Sequence, residues 1–338
     1  MSDLLRVACV QMTSGPEKAA NLEKAERLVA RAASTGADVV VLPEKWNAIG
    51  EADALHAAAE PLESGESVAA MADWARDHGI TLVGGSIAEQ REGREKLSNT
   101  SIAFGPDGEV LGVYRKIHLF DVEVEGNVYR ESEAEEPGEE PVVVRAPIGG
   151  RWGRVSGNRE VSRSVLLASR ADTGGAGSQA FAEEEGGTWG KHGFPHGSEA
   201  RPSDRGEGWP IGLSVCYDIR FPELYRILAL EGAELVTVPA AFTVPTGRDH
   251  WHVLLRARAI ENQYYVAAPG QVGETRPGRP SYGRSLIVDP WGIVLAQAPD
   301  EETVISAELD RSRLLNIREK LPSLKNRQVD AYRWPTPA

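Results

Sequence analysis

The sequence predicts an α/β protein, and three observations carry that expectation. Short apolar runs alternate with segments of helical periodicity along most of the chain. Several runs, such as Val39-Val40-Val41-Leu42, are apolar without a break, as in strands covered on both faces. At 338 residues, with 41% hydrophobic and 26% charged, the chain is long enough to bury a sizeable core and is composed like a globular enzyme.

Taken in order, strands are predicted at Leu5–Gln11 and Asp38–Pro43, around a helix at Lys18–Ser34. A helix at Ser67–His78 leads into strands at Thr81–Ala88, Asn99–Phe104, Val110–Arg115 and Val142–Ala146. Ile211–Cys216, Leu235–Pro239, Tyr264–Pro269, Gly283–Val288, Ile293–Gln297 and Thr303–Glu308 read as further strands, with helices at Pro222–Glu231 and Arg248–Asn262 among them. Pro106-Asp107-Gly108 and Asp289-Pro290-Trp291-Gly292 supply hairpin turns, because Asp, Pro and Gly each favour tight backbone reversals. Pro322–Trp334 has too little periodicity for core, and 322–338 is read as a tail that could cross to a partner subunit.

Three segments carry chemistry. Gly212 to Val215 is an apolar approach to Cys216, followed by a turn and by Phe221-Pro222-Glu223 as a helix start. Such a frame presents a nucleophile beside free backbone N–H groups; a buried cysteine acting as a small hydrophobe is the plainer alternative. Glu44 follows the strand Val39 to Leu42, where apolar surroundings suit a general base; a solvated strand-end glutamate is its alternative. Lys116 stands among apolar and aromatic neighbours in Tyr114-Arg115-Lys116-Ile117-His118-Leu119-Phe120-Asp121, where fixed positive charge could meet an oxyanion; a surface lysine with an apolar stem is the other reading.

Together these phrases resemble the nitrilase superfamily of carbon–nitrogen hydrolases. The resemblance extends through Tyr129-Arg130-Glu131-Ser132 with Pro137-Gly138, Arg256-Ala257-Arg258-Ala259-Ile260-Glu261-Asn262, Ser281-Tyr282-Gly283 and Val288-Asp289-Pro290-Trp291-Gly292, covering about residues 4 to 146 and 209 to 334. It implies a four-layer α-β-β-α sandwich, two packed sheets with helices outside, in one carbon–nitrogen hydrolase domain over 1–338. It implies a catalytic Glu44, Lys116 and Cys216, with Glu131 as the second glutamate orienting Lys116, water or the substrate amide. The Tyr217 backbone N–H would share the oxyanion with Lys116. No cofactor and no metal are implied, and pairing through the helical layer implies a homodimer or higher homo-oligomer. Arg220, four residues beyond Cys216, matches the arginine of a branch whose substrates carry a carboxylate, the ω-amidases and deaminated glutathione amidases. The expected function is therefore a thiol-dependent amidase making an acid and ammonia from a small carboxylate-bearing carboxamide. Nitrile and N-carbamoyl amine hydrolysis on the same residues, a thiol hydrolase using His118 or His250 as base, and a non-catalytic binding or scaffold subunit remain the alternatives.

Other readings bound the partners. A net charge of −13 with no basic stripe argues against nucleic acid. No run approaches the roughly 18 apolar residues of a membrane span, and Met1-Ser2-Asp3-Leu4-Leu5-Arg6 does not read as a signal peptide. Two cysteines on separate predicted strands fit a reducing, cytoplasmic setting better than a disulfide scaffold. The segment 147–208 departs from the family: Gly149 to Gly208 holds 14 glycines in 60 residues, a composition that predicts a disordered surface insertion. A lid over the site, or an error of reading frame or splicing, would also account for such a segment. Within it His192 and His196 have zinc-helix spacing, but Gly193 and Pro195 oppose the helix. The acidic run Glu131 to Glu140, with six glutamates, reads as a mostly solvated face.

Overall fold

The computed structural model describes residues 4–147 and 208–332. The expectations for the insertion and its histidine pair fall on 148–207, outside the described residues.

Seventeen strands are described, in two large sheets and two hairpins. The first sheet holds β1 (Leu4–Gln11), β2 (Val39–Val41), β3 (Thr81–Val83), β4 (Ile87–Glu89), β5 (Ser98–Phe104) and β6 (Val110–Arg115), edged by β17 (Thr303–Asp310). Its order is β17-β1-β2-β3-β5-β4, with β6 on the other edge of β5. A hairpin follows β6, made of β7 (Asp121–Val124) and β8 (Asn127–Arg130). The second sheet contains β9 (Val142–Ala146), β10 (Trp209–Leu213), β11 (Leu235–Thr237) and β12 (Tyr265–Ala268). The hairpin β13 (Val272–Arg276) and β14 (Arg279–Tyr282) interrupts it, before β15 (Leu286–Val288) and β16 (Val294–Gln297) complete the order β16-β15-β12-β11-β10-β9.

Alternation along β1 shows how the layers form. Val7 and Cys9 enter the core that also holds Ile211 and Leu213 of the other sheet, so these faces pack on each other. Ala8 and Val10 point the opposite way, into a second core with Leu28 and Val29 of helix α1 (Lys18–Ser34) and Met71 and Trp74 of α2 (Glu66–His78). Beyond the second sheet, α3 (Pro222–Leu230) and α4 (His252–Asn262) bury Tyr225, Leu228, Leu255 and Ala259. The architecture is the expected four-layer α-β-β-α sandwich.

Several boundaries differ from expectation. The strand predicted to reach Cys216 ends at Leu213. The predicted Thr81–Ala88 strand is two strands, broken at Gly84-Gly85. Gly85 has φ +57, and a Cβ there would lie 2.0 Å from the Pro43 carbonyl oxygen, so only glycine lets this turn press against the residue before Glu44. The predicted Gly283–Val288 strand begins at Leu286, and α4 is entered through a wider-wound turn over Gly247–Trp251. Both hairpins, the short helix Ala52–Ala58 and α5 (Arg311–Lys320) were not anticipated. α5 buries only Leu314 and Ile317, too few for a visible period, and is started by Asp310 accepting N–H bonds from Ser312 and Arg313. In the predicted tail, Leu324 packs against the main core, and just before it the Leu321 carbonyl accepts from Gln263 Nε2, so the start of the tail is tied to the domain. No described helix is long and apolar enough to cross a membrane.

Candidate active site

The two sheets meet the pocket with different side chains. β2 delivers Glu44 and β6 delivers Lys116 directly beyond its last residue. From the second sheet, the stretch after β10 brings Cys216, and the stretch after β11 brings Ala241 and Phe242. Glu131 stands at the foot of the β7–β8 hairpin. Glu44, Lys116, Glu131, Cys216, Tyr217 and Arg220, all singled out from sequence, line one pocket.

Glu44 is held from three sides. Asn99 Nδ2 and Lys116 Nζ each donate to its Oε1 at 3.0 Å, and the Ala241 N–H donates to Oε2 at 2.9 Å. Lys116 Nζ also donates to Glu131 Oε2 at 2.7 Å, an oxygen that the Phe120 N–H reaches at 2.8 Å. The Lys116 side chain is 1% exposed. Burial opposes its charge, but the Glu131 and Glu44 carboxylates outweigh burial and hold its pKa well above the ordinary value. Gly138, in the family's Pro-Gly phrase, donates its N–H to the Lys116 carbonyl at 2.8 Å; a Cβ there would sit 2.2 Å from the Arg115 carbonyl oxygen.

Cys216 opens a 3-10 turn, Cys216–Arg220, with φ +49. A left-handed conformation in a non-glycine residue costs on the order of 1–3 kcal/mol. The turn is secured by Asp218, which is fully buried. Its carboxylate accepts from the Val215 N–H (2.8 Å), Tyr114 Oη (2.7 Å) and the His118 N–H (3.1 Å), with His118 Nδ1 at 2.8 Å. Helix α3 starts at Pro222, as expected, and the turn that separates it from the cysteine is the 3-10 one. Burial first, then the Glu44 carboxylate, push the Cys216 thiol well above its ordinary value, while Lys116 pulls the other way. A thiol held in that direction needs a base before it can attack, and the Glu44 carboxylate that acts on it lines the same pocket.

The histidines considered as alternative bases are engaged elsewhere. His118 contacts Asp218 and stacks on Phe221 with ring centroids 3.6 Å apart, and His250 Nδ1 lies 3.3 Å from Arg220 Nη1. Arg220 lies over the rings of Tyr217 and Phe242, at 5.7 and 5.3 Å from their centroids. Arg276, at the end of β13, lines the same pocket. Among the described residues no group of three His, Cys, Asp or Glu side chains is arranged to hold a metal ion.

Sequence reasoning missed several contributors. Lys45 and Glu135 flank Glu131, Asn99 holds Glu44, and Arg276 joins the mouth. The acidic run is not uniformly solvated: Glu133, Glu139 and Glu140 are exposed, but the Glu135 side chain is 1% exposed. Its spacing of four from Glu131, on the short helix Glu131–Ala134 and its cap, was the available signal.

Comparison with known proteins identifies the family. The model of the carbon-nitrogen hydrolase family matches residues 6–319. Over 328 residues the chain is 34% identical to omega-amidase NIT2 of Xenopus tropicalis, covering 97% of this chain and 96% of the relative. It is also 34% identical over 327 residues to the deaminated glutathione amidase of Synechocystis sp., covering 95% and 97%. The crystal structure of Saccharomyces cerevisiae Nit3, a member of branch 10 of the nitrilase superfamily, matches with a TM-score of 0.72 at 29% identity over 96% of each chain. The chain belongs to the carbon–nitrogen hydrolase family of the nitrilase superfamily. It is an enzyme, a hydrolase of carbon–nitrogen bonds.

Proposed function

We propose that this protein is a thiol-dependent amidase that hydrolyses a small carboxylate-bearing carboxamide to an acid and ammonia. The observation that carries the reading is a buried Cys216 sharing its pocket with a buried Glu44, with Lys116 tied to two carboxylates beside them. Glu44 takes the thiol proton as sulfur attacks the amide carbon, and Lys116 with the Tyr217 N–H receives the charge that develops on oxygen. Glu44 passes the proton to the departing ammonia, leaving a thioester on Cys216. Glu44 then activates a water that cleaves the thioester and restores the thiol. Glu131 orients Lys116 throughout.

Substrate class follows from the mouth. Among the described residues neither Arg220 nor Arg276 has a carboxylate in an ion pair, whereas Lys116 and Lys45 are each spent on two. A guanidinium with its charge unspent suits a substrate carboxylate. Relatives named omega-amidase and deaminated glutathione amidase support that choice.

The test is ammonia release from an α-keto acid monoamide, deaminated glutathione, a neutral aliphatic amide, a nitrile and a carbamoyl amino acid, each beside Cys216→Ala. Cys216-dependent release from the first two alone is expected; release only from the nitrile or the carbamoyl compound would replace the amidase reading.

We read the whole chain as one carbon–nitrogen hydrolase domain, and the outer helices as its pairing face. Ile227 and Leu230 on α3 and Val253 and Ile260 on α4 are exposed apolar side chains, which supports a homodimer. Sedimentation of the purified protein should give twice the chain mass, and a monomer would refute the assignment. Cys9 and Cys216 are both free thiols, in keeping with a reducing cytoplasm.

A further inference from the structure

Glu131 carries two cations, one on each oxygen. Lys116 occupies Oε2, and Lys45 Nζ donates to Oε1 at 2.9 Å. The same ammonium lies 2.6 Å from Glu135 Oε1, in ionic contact but off the line of a hydrogen bond. Side-chain exposures of 5% for Lys45 and 1% for Glu135 place this contact away from water, where an ion pair is screened least.

Lys45 follows Glu44 directly and holds φ +50, a conformation an ordinary lysine avoids. One strained turn thus sends the proposed base to one side of the pocket and this ammonium to the other. Charge makes the pairing coherent. Glu44 and Glu131 balance Lys116 and Lys45, leaving Glu135 as the one carboxyl in excess. Burial raises Glu135 to about 7, with Lys45 opposing and Glu131 adding to the rise. Two carboxylates grip the Lys45 ammonium, so although it borders the pocket it has no charge to spare for a substrate.

We propose that Lys45 and Glu135 are positioning residues, an ion bracket that fixes the free oxygen of Glu131 and thereby holds Lys116 between Glu131, Glu44 and the Cys216 sulfur. The inference rests on the amidase reading for its kinetic consequence. Without Lys45, Glu131 draws Lys116 toward itself, and positive charge recedes from Cys216. Without the Glu135 charge, Lys45 bears more fully on Glu131, and the field at Cys216 becomes more positive.

The decisive variant is the double replacement Lys45→Met with Glu135→Leu, which removes both members of the Lys45–Glu135 contact together and leaves Glu44 and Glu131 sharing Lys116. Wild type and variant are compared by urea unfolding, by kcat and KM for the best amide of the panel, and by the pH profile of Cys216 alkylation with iodoacetamide. Cys9 is fully buried, so Cys216 is the thiol read. The expected result is a stability near wild type, a similar KM, and kcat lower by roughly 100-fold, the scale of a displacement of about 1 Å at a reacting centre. The alkylation profile should move to higher pH. A double variant with kcat within about threefold of wild type and an unmoved profile would reduce the bracket to a merely structural pair. Should the double variant not fold, Glu135→Gln decides: its alkylation profile should move to lower pH, and no movement overturns the proposal. If wild type hydrolyses no amide, the amidase reading fails, while the alkylation profiles still judge the bracket.

Discussion

The floor of the pocket and its mouth hold charge in opposite ways. On the floor, Glu44, Lys116, Glu131, Lys45 and Glu135 form one buried chain of contacts in which both ammonium groups meet two carboxylates. At the mouth, Arg220 rests on aromatic faces and Arg276 stands nearby, with no carboxylate ion-paired to either among the described residues. Breaking one partner of a buried ion pair strands the other, at a cost of roughly 3–5 kcal/mol. A half-exposed guanidinium has no such debt and stays available to a ligand. Under the amidase reading, the difference separates machinery that must not move from a surface that discriminates.

The largest expected effect breaks the floor. Glu44→Gln keeps size and can still bond Lys116 poorly, but it cannot take the Cys216 proton. Turnover should fall by at least about 10³-fold on every substrate, within the range of general-base catalysis. A steady-state assay beside wild type checks this, and retained activity would remove Glu44 as the base.

A smaller and selective loss belongs to the mouth. Arg220→Ala should cost carboxylate-bearing amides roughly 10- to 100-fold in kcat/KM, since a hydrogen bond to a charged partner contributes about 1.5–3 kcal/mol. Neutral amides should stay within about threefold. Equal losses on both classes would mean that Arg220 shapes the wall through Tyr217 and Phe242 and reads no charge.

The smallest effect sharpens the picture of the floor through stability. Glu135 is raised from 4.5 to about 7, so the folded state keeps a proton that the unfolded chain releases. Its contribution is fully present below the unfolded value and is lost as pH rises through about 7. Glu135→Gln removes that dependence. In urea unfolding, the variant should gain on wild type as pH rises from about 5 to 8, by on the order of 1–3 kcal/mol. A constant difference across that range would show that Glu135 does not titrate between the two states.

Much of the site was legible because it lies in continuous phrases. Glu44 after an apolar strand, Lys116 after Tyr114-Arg115, and Cys216 before Tyr217-Asp218 each carry a local pattern, and Glu131 has its Pro-Gly sequel. Lys45 was written beside Glu44 all along, yet nothing local marks a lysine as buried. Glu135 looked like one glutamate among six, because solvation depends on what packs over a side chain and not on its neighbours in sequence.

The strand ends tell the same story. The apolar run before Cys216 contains no signal that pairing with β9 and β11 stops at Leu213; register across three strands decides that. Helix α5 has two buried residues and no visible period, and it forms because the sheets offer a surface for Leu314 and Ile317.

The sequence by itself determined the α/β class and the positions of most strands and helices, while its resemblance to the family implied the four-layer arrangement and singled out Glu44, Lys116, Glu131 and Cys216. These follow from periodicity and from phrases shorter than about a dozen residues, which report on local backbone and local chemistry. Only the tertiary structure decided that Lys45 and Glu135 belong to the same charge chain, that Asp218 locks the cysteine turn, and that Arg276 faces Arg220's pocket. Each of these joins elements far apart in the chain, and their energies arise only when packing removes water from between the charges.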